Sequence, residues 1–332
     1  MNKRVISILI AAVFCLTLMG CTVQPQNLAN DDKIDIVCTS FPIYDWVNET
    51  IGENADRFNV SLLAQNGDIH NFQPAAADMV KIHTSDLLVC IGGISEQWID
   101  DVVKYRGIRT LRLFDIVPEN EKLSATEGHN HDANHEGHSD NEYDEHIWLS
   151  LRLAQKMVDA ICQEISVLDK QGKVVYQNNA EEYIKKLKAL DTEYKKTVDE
   201  SEDKTIIFAD RFPFLYLTED YGVESIAAFP GCSTDTDASF EMVTSLAEKV
   251  KELEKKTVLV LENSDRTIAN AVIGASGNQN IQIAVMNSCQ SLAPGSVEDA
   301  EVKKLQGKDL ADGADYIAIM EENLKAFKEA LD

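Results

Sequence analysis

The chain has 332 residues, 44% of them apolar, and sets 31 basic side chains against 56 acidic ones for a formal net charge of −25. A balance this acidic argues against nucleic acid as a partner, because a phosphate backbone would be repelled. It also keeps the chain soluble and raises the cation concentration near its surface, and the length suits a globular body of one or two domains.

Residues 1–20 have the three parts of an export signal: basic Lys3 and Arg4, an apolar stretch from Val5 to Leu16, and a small-residue exit. The stretch is too short for a lasting membrane span. Its exit, Leu18-Met19-Gly20-Cys21, resembles the bacterial lipobox, which implies a lipid on Cys21 and anchorage of the mature chain to the outer face of the cytoplasmic membrane. Residues 21–33 are polar and without periodicity, and read as a flexible tether.

From residue 34 onward, short apolar runs alternate with helical patterns. The first half gives strand IDIVCTSF, helix IYDWVNETIG, strand RFNVSLLA, helix AAADMVKIHTSD, strand LLVCIGG, helix SEQWIDDVVKY and strand TLRLFDIV. Such alternation predicts βαβ units and parallel sheets. An acidic, His-rich loop follows at 127–142, then an amphipathic helix opened by the His146 region. Residues 174–200 contain neither Gly nor Pro and have apolar residues every three or four positions, so one helix of roughly 40 Å is expected at ~1.5 Å per residue. Alternation then resumes: strand TIIFAD, helix FPFLYLTEDYG, strand SIAAF, helix FEMVTSLAEKVKELE, strand TVLVLEN, helix DRTIANAVIGA, strand IQIAVMNS and a terminal helix. The expected fold is α/β: two similar (β/α) lobes with parallel sheets, at 34–170 and 204–332, joined by one long rigid helix within 171–203. Ligands of such open sheets bind outside the carboxyl ends of the strands, which places the site in the cleft between the lobes.

All seven histidines lie at or before His146. His129, His131, His135 and His138 crowd the acidic loop. Neutral imidazole is the commonest protein ligand for Zn²⁺, so the loop is either an accessory metal-capturing segment or a solvated polar stretch. His70, in NGDIHNFQP, follows a strand and precedes a helix. His146, in YDEHIWLSL, also precedes a helix, so both stand at equivalent edges of the first lobe. His83 falls within a helix and reads as structural.

GDIHNFQPAAADMVKIHTSDLLVCIGG resembles the first histidine segment of the zinc- and manganese-binding solute-binding lipoproteins of bacterial ABC importers. SFPIYDWVNETIG is similar to that family's first strand-helix unit, DEHIWLSL to its second histidine motif, and LYLTEDYGV to a later helix. The resemblance implies two lobes with a rigid linker helix, a metal held between them, and delivery to a membrane permease of the ABC type; the chain is expected to be a monomer. It also implies a third and a fourth ligand from the second lobe. The chain departs from the pattern at both positions, with Arg211 at the third and Asn287 or Ser288 at the fourth. Arginine cannot ligate a cation and repels it.

Three substitutes are at hand. Asp210 precedes Arg211 and can supply a carboxylate. Cys232 and Cys289 lie on loops after second-lobe strands and can ligate as thiolates, or they can pair with each other in an oxidising exterior. The expected set is His70, His146, Asp210 and Cys289. An odd count of five cysteines after Cys21 leaves at least one thiol unpaired; Cys38, Cys90 and Cys162 read as small buried hydrophobes. Two imidazoles with a possible thiolate suit Zn²⁺ better than Mn²⁺, which prefers carboxylate-rich six-coordinate sites. A metal-dependent adhesin on the same fold is the alternative function. A metallohydrolase is a weaker one, because neither H-E-x-x-H nor G-x-S-x-G occurs and no general base is evident.

Overall fold

The structure, a computed structural model, describes residues 32–64, 69–104, 107–125, 143–231, 238–290 and 315–332. The signal peptide, Cys21 and most of the tether, the four loop histidines His129, His131, His135 and His138, and Cys232 lie outside the described residues. Residues from Ile34 to Asp332 belong to one compact unit. No described helix is long and apolar enough to cross a membrane.

Two four-stranded, all-parallel sheets carry the fold. The first is ordered β2-β1-β3-β4, from Ile34–Cys38 (β1), Phe58–Leu62 (β2), Leu87–Cys90 (β3) and Thr110–Arg112 (β4). The second repeats that order as β6-β5-β7-β8, from Thr205–Phe212 (β5), Glu224–Pro230 (β6), Thr257–Leu261 (β7) and Gln282–Met286 (β8). This is the two-lobe α/β architecture expected from the alternation.

Why the central strands read as unbroken apolar runs is visible in β3 and β7. Leu87 and Val89 point into the largest core cluster, and Leu88 and Cys90 into another on the opposite face. In β7, Leu259 and Leu261 face the large core while Val258 and Val260 face a third cluster. A parallel sheet covered on both faces needs apolar residues at both parities. The covering helices, in chain order, are Phe41–Ile51 (α1), Ala76–Thr84 (α2), Trp98–Lys104 (α3), Leu151–Leu168 (α4), Lys173–Glu200 (α5), Leu215–Tyr221 (α6), Phe240–Glu252 (α7), Thr267–Ser276 (α8) and Tyr316–Leu331 (α9).

Helix α5 joins the two sheets. Its buried residues are Tyr176, Ala180, Tyr183, Leu187, Leu190, Tyr194 and Val198, a stripe with three- and four-residue steps that faces the large core. Three tyrosine hydroxyls on that stripe bind it to its surroundings. Tyr176 donates to Asp169 at 2.5 Å, Tyr183 to Asp45 of α1 at 2.7 Å, and Tyr194 to the Met320 carbonyl of α9 at 2.7 Å. Hydrogen bonds to both α1 and α9 hold the helix against each lobe.

Two elements depart from expectation. The expected strand TLRLFDIV stops after Arg112, because the Phe114 N–H turns to the Ile91 carbonyl at 2.8 Å and Leu113–Ile116 tightens into a 3-10 turn. The helix expected to open in the His146 region begins at Leu151 instead. Ser150 is its N-cap, its Oγ accepting the Leu153 N–H at 3.0 Å, while Ile147–Leu149 forms a separate 3-10 turn. A serine caps better than the tryptophan or leucine before it.

Candidate metal centre

His70 sits in the short 3-10 turn Ile69–Asn71 between β2 and α2, and His146 immediately before the turn Ile147–Leu149. The two imidazoles converge: their ring centroids are 5.1 Å apart, tilted by 41°. Two histidines that bind one tetrahedral Zn²⁺ at roughly 2.0–2.1 Å per nitrogen place their centroids about 5 Å apart. The spacing therefore fits a shared ion. His146 is fully buried.

Carboxylates hold both rings. Asp144 Oδ1 accepts from the His146 backbone N–H at 2.8 Å and lies 3.0 Å from Nδ1. With Nδ1 donating there, Nε2 presents its lone pair to an ion. His70 Nε2 lies 3.1 Å from Glu145 Oε1. Glu145 is in turn held by Ser95, whose N–H donates to Oε2 at 3.0 Å and whose hydroxyl donates to Oε1. Burial pushes the Glu145 carboxyl up, but His70, His146 and Ser95 outweigh it and hold it below the usual range. Nearby Glu96 is pushed up to about 7 by burial, although the Gly92 N–H donates to it at 2.7 Å. Gly93 leaves room for this cluster: a β-carbon there would stand 2.2 Å from Glu145 Oε2.

The second lobe closes over the His146 segment. Tyr216 of α6 donates to the Asp144 carbonyl at 3.0 Å and accepts from the Leu123 N–H at 3.1 Å. The Trp148 indole donates to the Ser288 carbonyl after β8 at 2.8 Å, and Tyr316 donates to the Trp148 carbonyl at 2.5 Å. At the end of β6, a β-carbon on Gly231 would stand 3.0 Å from His146 Cε1 and 2.7 Å from the Phe212 carbonyl. Second-lobe backbone thus lies directly against the imidazole.

The model of the zinc-uptake complex component A family, ZnuA, described as periplasmic, matches residues 36–330. The chain belongs to the ZnuA family. It is 30% identical to the zinc-binding lipoprotein AdcA of Streptococcus pneumoniae over 98% of its own length, and spans 61% of that relative. It is 28% identical to the high-affinity zinc uptake system protein ZnuA of Bacillus subtilis, over 97% of this chain and 96% of that one. Among solved structures, the Zn(II)-bound ZnuA-like domain of S. pneumoniae AdcA superposes with a TM-score of 0.68 at 26% identity, covering 90% of this chain and 99% of the other.

Against this ZnuA framework, the second-lobe ligands expected from sequence fall differently. Among the described residues no three His, Cys, Asp or Glu side chains stand grouped to hold a metal. As placed, no described carboxylate or thiol, Asp210 and Cys289 included, forms a ready-made group of three with the two histidines. Asp210 ends up half-buried where β5 shifts register, its Oδ1 accepting the Arg211 N–H at 2.8 Å. Cys289, the expected thiolate ligand, packs in the core as placed. It is a free thiol, wholly buried in the large core, and burial pushes its pKa well above the ordinary thiol value. Its left-handed backbone (φ 58°) after β8 directs it toward Tyr194 and Tyr316. The alternative Cys232–Cys289 pairing involves Cys232, which lies outside the described residues. Glu262 accepts the Ser288 N–H at 3.0 Å and hydroxyl at 2.6 Å, so it fixes the loop after β8.

Asp144 and Glu145 are the residues that sequence reading passed over. Their signal was present as two carboxylates directly before His146. Replacing Asp144 by asparagine keeps the shape but lets the amide donate toward Nδ1, favouring the wrong tautomer. Zinc affinity is expected to fall about 10–100-fold, the usual cost of losing a group that orients a ligand. Competition titration against a coloured chelator measures this, and an unchanged affinity would remove Asp144 from the site.

Proposed function

We propose that the protein is an extracytoplasmic binding lipoprotein, anchored through Cys21, that captures Zn²⁺ between its lobes and delivers it to an ABC-type permease. The converging pair of buried imidazoles carries this reading. It is supported by family membership and by relatives named for zinc binding and zinc uptake. The ion is cargo, so His70 and His146 must hold it firmly yet release it when the lobes part. Nitrogen donors favour Zn²⁺ over Mn²⁺. Of the expected second-lobe donors, Asp210 alone stays in the proposal, as the carboxylate that approaches when the cleft is closed. His129, His131, His135 and His138 are assigned an accessory capturing role outside the main site.

Growth of a deletion strain in zinc-depleted medium tests the proposal. The wild-type gene is expected to restore growth and the His70→Ala/His146→Ala double variant to fail, with both proteins present at equal levels. Equal rescue by both would refute the role of the pair.

A further inference from the structure

The ZnuA-type cleft is supplied here with two imidazoles from the first lobe and an arginine, Arg211, at the expected third-ligand position in the second. A site with two neutral nitrogens carries no compensating negative charge for a divalent ion. Something else must provide it.

We infer that Glu145 is the third donor to the ion, so that the first lobe alone supplies three ligands, His70, His146 and Glu145, and the fourth position is left to Asp210 or water. The inference rests on the proposed zinc-binding role of the cleft.

Geometry comes first. Two donor atoms on one tetrahedral Zn²⁺, each at roughly 2.0–2.1 Å, are about 3.3–3.4 Å apart. His70 Nε2 and Glu145 Oε1 are already 3.1 Å apart, close to the separation of two donors on one ion, so binding needs little change in their distance and a turn of the imidazole that aims its lone pair at an ion beside the N–O line. Their direct contact also explains why the three side chains do not form an open cage in the absence of an ion. His70 is thus the common neighbour, its ring 5.1 Å from the His146 ring by centroid and its Nε2 beside Glu145, so an ion bound at His70 would have to draw the other two side chains toward it.

The carboxylate is also built in. It is 1% exposed, its Oε2 is held by the Ser95 N–H, and Gly93 makes room for it. Its Oε1, the oxygen nearest His70, also accepts from the Ser95 hydroxyl; a carboxylate oxygen has two lone pairs, so one can take that hydrogen bond while the other meets an ion. A buried carboxylate otherwise costs solvation, and a cation offsets that cost. Asp210, by contrast, is engaged with its own strand end through the Arg211 N–H, and Arg211 beside it disfavours a cation.

The test is zinc competition titration of the metal-stripped full chain as wild type, Glu145→Gln and Asp210→Asn, with metal-free thermal melting as a check on folding. Glu145→Gln is expected to lose more than about 100-fold in affinity, beyond the range for an orienting neighbour. Asp210→Asn is expected to lose less than tenfold, because water can take its place. If Asp210→Asn carries the larger loss, or Glu145→Gln binds as wild type, the inference is overturned. Failure of wild type itself to bind would instead defeat the underlying zinc reading. Should Glu145→Gln not fold, wild type decides by infrared difference spectroscopy with ¹³C-labelled glutamate. Zinc loading should shift a glutamate carboxylate stretch, and no shift would overturn the assignment.

Discussion

His146→Ala is expected to lose zinc binding by well over about 100-fold, the largest functional effect of any single change in this chain. Losing a group that merely orients a metal ligand costs 10–100-fold; losing the ligand removes the metal–nitrogen bond itself. His146 also cannot be replaced by a neighbour. Its ring is fully buried against Trp148, His70 and the Gly231 backbone, so no other side chain can swing into the space. Competition titration measures the loss, with His146→Gln as a closer match in volume. A variant that melts like wild type but binds zinc within tenfold of it would show that the ion is held elsewhere.

Asp45→Asn is expected to have the largest effect on stability, and the effect depends on pH. Asp45 lies under α5, accepting from the Tyr183 hydroxyl at 2.7 Å and from the Tyr316 backbone, with Asp315 and Glu49 nearby and Lys186 facing Glu49. Burial raises its pKa from 3.8 to about 8; the Tyr183 hydrogen bond opposes this, and the charges of Asp315 and Glu49 add to it. A carboxyl that binds its proton more tightly when folded destabilises the fold increasingly as pH rises through the window between the two values. The sign is therefore a loss of stability from about pH 4 to pH 8, complete above the folded pKa and absent below the unfolded one. At about 1.4 kcal/mol per pH unit the difference is on the order of 5 kcal/mol at pH 8. Asparagine can still accept from Tyr183 and carries no charge. Denaturant unfolding at pH 5 and pH 8 should show the variant gaining on wild type as pH rises. Parallel pH profiles would mean that Asp45 is ionised and compensated within the fold.

Much of the architecture was legible because it follows from burial. Runs such as LLVC and TVLVL must be apolar at both parities when a parallel sheet is covered on both faces, and the absence of Gly and Pro from 174–200 permits a single helix, observed as Lys173–Glu200. The convergence of His70 and His146 was legible because each stands between a strand or loop and a helix, at the edge where such sheets bind ligands. What spacing could not give was side-chain direction. Cys289 follows a strand, as a ligand would, and its thiol is buried in the core beside a left-handed backbone. Glu145 and Asp144 look like ordinary polar loop residues, and only their contacts with Ser95, His70 and His146 give them roles. Strand β4 ended early for a similar reason, since a tertiary hydrogen bond to Ile91 outcompeted the sheet.

The second lobe carries Arg211 and Asn287 or Ser288 where the resemblance implies ligands. It holds the His146 segment through Tyr216, Ser288 and Tyr316. These contacts position and cover the imidazole; in the proposed site most donors come from the first lobe, with Asp210 or water at the fourth position. In such a design, separating the lobes would expose the ion and loosen the Tyr216 and Ser288 contacts together, which suits hand-over to a partner.

The most direct measurement is zinc-edge X-ray absorption of the stoichiometrically loaded protein, which counts imidazoles and detects sulfur in the first coordination shell. Two imidazoles with oxygen donors and no sulfur is the predicted result. Fewer than two imidazoles would contradict the assignment of the ion to His70 and His146, and a sulfur ligand would contradict the oxygen donors proposed beside them.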